Sequence, residues 1–215
     1  MDYFLKLFPT LVKATGNTLL IFAVTLVFSL PLGWLLSLLR VGKNKAVAKV
    51  IEIYCWIMRG TPLLLQMTFI YFGLPFIGKG LTLSNYQAAF LAYVLNYAAY
   101  FAEIFRGGIE SIGKGQYEAA DVLGLSRSQV MSRIIMPQAI KTVLPSIGNE
   151  VITLIKDTSL VYTISIVELL RTAQIAATRD FRIEGFVGAA IIYLMLTWVA
   201  TKLQSWVERR FAYYR

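Results

Sequence analysis

The chain reads as an all-α integral membrane protein with five transmembrane helices, its N-terminus outside and its C-terminus in the cytoplasm. Three observations carry that reading. Of 215 residues, 57% are hydrophobic and only 15% charged, with a mean hydropathy of +0.63, which is more apolar than an ordinary soluble domain. Residues 18–39 and 185–201 are uncharged for 22 and 17 residues, and at about 1.5 Å per helical residue the first crosses about 30 Å of hydrocarbon. The basic residues also fall unevenly between loops: with Arg59 assigned to the membrane, 13 Lys/Arg lie in segments read as cytoplasmic and 7 in those read as external, the bias that orients spans. That distribution accounts for the net charge of +9 without nucleic acid.

Taken in order, MDYFLKLFPTLVKATGN carries an acid at position 2 and Pro9 within its apolar part, a poor pattern for a cleaved signal. It is expected to be a short interfacial amphipathic helix with Tyr3, Phe4, Leu7 and Phe8 inward. The first span is Thr18 to Leu39, kinked at Pro31 and Gly33. Arg40, Lys43, Lys45 and Lys49 follow at once, marking the cytoplasmic side. Residues 46–58 are amphipathic, and Arg59-Gly60-Thr61-Pro62 interrupts them before the apolar run 63–77. An interrupted span in a transporter marks backbone near the translocation path, with a plain kink as the competing reading. Residues 78–84 form an external turn.

The third span is Tyr86 to Ala102. Asn96, Tyr100 and Glu103 share one helix face, a polar stripe that lipid would penalise, so it is expected to face the protein interior. Residues 106–141 are assigned to the second cytoplasmic loop, and 142–155 to the fourth span. Ser146, Glu150, Thr153 and Asp157 recur at helical spacing as one polar line, with Asn149 next to it. A carboxylate near mid-span costs about 2.5–3.5 kcal/mol on insertion scales, so Glu150 calls for a reason. Arg171, Arg179 and Arg182 are balanced by Glu168, Asp180 and Glu184 in an external region suited to docking a soluble partner. The fifth span is 185–201, followed by Lys202, Arg209, Arg210 and Arg215 on the inside.

The long polar stretch between hydrophobic runs is QYEAADVLGLSRSQVMSRIIMPQA, residues 116–139. It predicts a helix, a turn and a second helix. Gly124 suits the left-handed position that ends the first, Ser126 with Gln129 has capping-box spacing, and Pro137 is expected to stop the second. Val130, Met131, Ile134 and Ile135 give that second helix an apolar stripe. A DNA-binding helix-turn-helix is set aside because the segment is hemmed in by hydrophobic spans and too short for a three-helix domain. An amphipathic loop with no partner is the remaining alternative.

Several chemistries are excluded. The chain has no histidine and one cysteine, Cys55, so an intrachain disulfide, a zinc site and His-based catalysis are unavailable. Residues 73–79 and 108–114 match the first seven positions of a P-loop. Gly80 and Gly115 stand where Ser or Thr must hold magnesium, and neither segment follows a strand. No catalytic or metal site is expected on the chain.

Glu118-Ala119-Ala120, then Gly124, then Ile135-Met136-Pro137, resembles the EAA loop of the membrane subunits of binding-protein-dependent ABC importers. Within that family, Arg59-Gly60-Thr61-Pro62-Leu63-Leu64-Leu65-Gln66 and Lys156-Asp157-Thr158-Ser159-Leu160 resemble the polar amino acid permeases. The resemblance implies a type I ABC importer permease in a prokaryotic inner membrane, one domain over 1–215 with a coupling loop at about 106–141. It implies two ATPase subunits that carry ATP and magnesium, a second permease (identical or a sister), and an extracytoplasmic binding protein. Glu118, Ala119, Ala120, Asp121, Gly124 and Leu125 would couple to the ATPase, with Ala119 and Ala120 permitting close approach.

An α-amino acid substrate needs acceptors for its ammonium and donors for its carboxylate. Glu150 and Asp157 are the acceptors expected to take cationic groups, and Asn96, Asn149, Tyr100 and Thr153 the groups expected to orient the remainder. Two acids on one face favour a basic amino acid such as arginine, lysine or histidine. A packing or dimer-contact role competes for Glu150, and a helix cap for Asp157. The alternative function is a channel or secondary transporter subunit without an ATPase.

Overall fold

The computed structural model describes residues 2–78 and 80–211. Among them the regular structure is entirely helical, as the composition predicts. α1 (Asp2–Arg40) is a single helix of 39 residues. The expected separate interfacial helix is therefore its first turns, because nothing between Asn17 and Thr18 stops a helix. Leu7 and Leu11 turn inward there, against Leu169, Ala173 and Ala189. The helix runs unbroken through Pro31. Gly33 serves contact: a Cβ at that position would stand 2.6 Å from the Phe101 Cβ and 2.9 Å from the Ala98 carbonyl.

α2 (Lys45–Gly60) starts on Asn44, whose side chain accepts from the Ala46 and Val47 amides. It breaks where the sequence predicts, and α3 (Leu63–Ile77) leaves at 101° to it. The external turn follows, with Lys79 outside the described residues. α4 (Asn85–Glu110) opens on a reciprocal Ser84–Gln87 capping box and is the most buried of the long helices, its Ala88, Ala89, Ala92, Ala98, Ala99 and Ala102 letting neighbours approach.

α4 extends past the expected end at Ala102 through Glu103, Arg106 and Glu110. Those charges do not end it because they pair with one another along the helix: Arg106 binds Glu103 at 2.8 Å and also binds Glu110. The loop between spans is correspondingly shorter than 106–141. It holds α5 (Lys114–Val122) and the turn after it.

α6 (Arg127–Ile164) also departs from expectation. Pro137 does not stop a helix; it sits in the first turn after a short π-helical stretch, Val130–Ile135, where the wider turn leaves room for its ring. The span placed at 142–155 is thus the middle of a longer helix whose last turns, Thr158–Ile164, tighten to 3₁₀.

α7 (Leu169–Asp180) turns 57° from it. Its cap is Glu168, fully buried, whose carboxylate accepts from the Leu170 amide at 2.7 Å, the Arg171 amide at 2.6 Å and the Tyr193 hydroxyl at 2.9 Å. α8 (Glu184–Phe211) closes the described chain; Arg215 lies beyond it. Among the described residues three helices are long and apolar enough to cross a membrane, or up to five if each bent pair is one span.

Candidate functional site

Pro62 has no N–H, so the Met58 carbonyl four residues earlier loses its helical donor. Two side-chain amides replace it. Gln66 Nε2 donates to that oxygen at 2.9 Å and Asn96 Nδ2 at 3.0 Å, while Asn96 also donates to Gln66 Oε1 at 3.0 Å. Gln66 Nε2 further reaches the Thr61 hydroxyl at 2.7 Å. Within hydrocarbon a stranded carbonyl has no water to turn to, and a broken helix persists only where neighbours satisfy it. Asn96 is therefore a brace for the break, and buried, as its place on the polar stripe predicts.

The break opens a cavity of about 610 Å³ lined by Arg59, Tyr97, Tyr100, Glu150, Thr153 and Asp157, with Gly60 to Leu64 along one wall. Of the sequence candidates, Glu150, Thr153, Asp157, Asn96 and Tyr100 meet here. Asn149 does not. It lies about 100° around the helix from Glu150, is exposed, and contributes only its carbonyl, which accepts from the Thr153 hydroxyl at 3.0 Å.

The Asp157 carboxylate makes no capping hydrogen bond to the Thr158 segment; it accepts from Tyr97 Oη at 2.8 Å, and its carbonyl from Tyr93 Oη at 2.5 Å. Among the described residues Glu150 has no ion pair within 4.0 Å, and the cation that lines the cavity with it is Arg59.

Sequence reasoning placed Arg59 in the membrane and gave it no role. It lies at the α2 terminus, with its guanidinium 5.6 Å above the Tyr100 ring and 3.7 Å from Glu103. Glu103 is largely buried and is already bound by Arg40 and Arg106. Arg59 also lines a second cavity of about 420 Å³, with Arg40, Glu52 and Glu103, and so stands between the two. Its position directly before Gly-Thr-Pro was the available signal.

The segment between α4 and α6 has a different build. α5 ends at Gly124, whose φ of +68° is a left-handed value that glycine adopts without strain. Ser126 and Gln129 form the expected capping box. Val130 and Ile135 are buried, and Met131 and Ile134 pack against them.

Glu118, Ala119, Asp121 and Gly124 are exposed, and Leu125 is half-buried. Ala120 departs from expectation: it is fully buried against Ile109, Val130 and Ile135, so its small side chain fits the chain's own packing. The outward apolar groups are Val122 and Leu123, 88% and 74% exposed, which sequence reasoning passed over.

A bundle of long apolar helices with a polar cavity at a broken span and a short helix turned outward has the parts of a membrane transport subunit. The chain belongs to the family of binding-protein-dependent transport system inner membrane components, whose model matches residues 29–213. A probable amino-acid ABC transporter permease of Vibrio harveyi is 38% identical over 97% of this chain and 95% of its own length. An arginine transport system permease of Bacillus subtilis is 36% identical over 94% and 92%, and a putative glutamine transport system permease of Rickettsia felis is 35% identical over 91% of each.

In three dimensions, the crystal structure of an amino acid ABC transporter with histidines superposes with a TM-score of 0.88 at 34% identity, covering 96% of both chains. A methionine ABC transporter shares the fold, with a TM-score of 0.68 at 18% identity. The protein is thus an inner-membrane permease subunit of an amino acid ABC importer, a non-catalytic subunit of the type I importer fold. The channel and secondary-transporter reading gives way to this family.

Proposed function

We propose that the chain forms the path for a basic amino acid, arginine the leading case, through the cavity beside the helix break. The observation that supports this is the meeting of two carboxylates, Glu150 and Asp157, in one cavity with Arg59. Each carboxylate takes one cationic group of the substrate. Transport proceeds by alternating access in a complex of two permeases, identical or sister chains, two ATPases and an extracytoplasmic binding protein. Five spans, with the N-terminus outside, leave α5 on the cytoplasmic side.

ATP and magnesium act on the ATPases. As these close, α5 moves with them and the spans tilt. The residues that carry the docking are Glu118, Ala119, Asp121, Gly124 and Leu125, joined by Val122 and Leu123.

Binding of radiolabelled arginine to the purified permease with its ATPase tests the reading, with glutamine and glutamate as competitors and Glu150→Gln as the comparison. Arginine binding that the variant loses supports it. Binding unchanged by Glu150→Gln makes Glu150 structural, and absent binding assigns substrate choice to the binding protein.

A further inference from the structure

We infer that Arg59 is the receptor for the substrate's α-carboxylate. The inference rests on the reading that a free amino acid enters the cavity beside the helix break. A zwitterion there must find a donor for its carboxylate, and most side-chain donors lining the cavity are already committed within the chain. Thr61 Oγ1 donates to the Ile57 carbonyl at 2.8 Å, Thr153 Oγ1 to the Asn149 carbonyl at 3.0 Å and Tyr97 Oη to Asp157 at 2.8 Å. Both acceptors of the Asn96 amide are the groups that brace the break.

Among the described residues, Arg59 and Tyr100 are the lining side chains that donate no hydrogen bond within the chain, and they stack on each other. Arg59 is the cation of the pair. Its guanidinium presents a planar fork that matches a carboxylate with two parallel hydrogen bonds.

Arg59 is also the loosely held member of its ion cluster. Its side chain is 45% exposed and 3.7 Å from Glu103, whereas Arg40 and Arg106 are 17% and 28% exposed and in direct contact with that carboxylate. Glu103 keeps two partners if Arg59 turns to a ligand, so recruitment strands no buried charge. The resulting charge pattern mirrors a basic amino acid. Two protein carboxylates face its ammonium and its cationic side chain, and one protein cation faces its carboxylate.

The test compares arginine with argininamide, which keeps both cationic groups but replaces the α-carboxylate with a neutral amide. Each is measured as a competitor at about pH 6.5, where both α-amino groups remain protonated, on the permease–ATPase complex. Wild type is expected to prefer arginine by about tenfold or more, as a charge-assisted bidentate contact supplies. In Arg59→Gln the preference collapses to within about twofold. Arg59→Lys, which keeps the charge and loses the fork, falls between the two.

Each ratio is taken within one protein, so a variant that folds in lower yield still reports. A preference retained by Arg59→Gln overturns the inference. If wild type binds glutamine and not arginine, the basic-substrate reading fails while the same comparison, run with glutamine and glutaminamide, still decides the role of Arg59. If wild type holds no free amino acid, both fall.

Discussion

Exposed apolar side chains occur in two regions of this molecule and mean different things in each. Along α2 and α3, Trp56, Leu65 and Phe69 are exposed in the isolated chain, and their polar neighbours turn inward: Gln66 and Asn96 close the break, and Glu103 gathers arginines. Lipid is the expected surrounding for such a surface. α5 reverses the relation. Its helix is polar, Ala120 is its buried residue, and Val122 and Leu123 stand outward beside Asp121 and Gly124. Two adjacent apolar groups on an otherwise polar turn are the side chains that the proposed ATPase contact would bury. On the proposed function the same exposure reads as solvent type in one region and as interface in the other, and the polar residues around it distinguish the two.

The largest expected effect comes from breaking the inward-facing region. Replacing Gln66 and Asn96 together with leucine strands the Met58 carbonyl, at a cost of about 1–3 kcal/mol. A lowered thermal unfolding midpoint in detergent should show it, with each single replacement costing less because the other amide still reaches Met58. A double variant as stable as wild type would mean that the break is held without these amides. Next in size is Ser126→Ala. It removes the acceptor for the Gln129 amide and should cost about 1 kcal/mol. Because the capped turn is exposed, faster amide exchange over residues 127–131 is the sharper readout than global melting.

Local chemistry was the legible part of the sequence. The break at Gly60-Thr61-Pro62, the left-handed Gly124 and the Ser126–Gln129 box each follow from the conformational limits of one or two residues, and each stands where spacing placed it. Helix ends were less legible because a charge does not by itself end a helix. Glu103, Arg106 and Glu110 continue α4 since they neutralise one another, and Pro137 continues α6 because a π turn accommodates it. In the cavity, the line from Glu150 to Asp157 was visible as a period. Arg59 was not, because it shares the cavity with Glu150 only once α2 and α6, distant in sequence, come together, a juxtaposition that no helical pattern within a single segment encodes. Asn149 lies outside the cavity lining for the converse reason, being adjacent to Glu150 in sequence and about a quarter-turn away around the helix.

The smallest expected effect on stability belongs to the outward-facing region, and it discriminates the two meanings of exposure best. Val122 and Leu123 bury almost nothing within the chain, so serine at both positions should shift the unfolding midpoint by no more than about 0.5 kcal/mol's worth. If these side chains fill a groove on the ATPase, the same double variant should lose co-purification with it and uncouple ATP hydrolysis from transport, because burying two such groups supplies about 1.5–3 kcal/mol each. Serine at Leu65 and Phe69 provides the contrast. There the cost should appear in membrane insertion and detergent stability, with ATPase association intact. A Val122/Leu123 variant that still binds its ATPase at wild-type strength would place the contact on the polar face of α5, at Glu118 and Asp121, and would make the exposed apolar pair incidental to coupling.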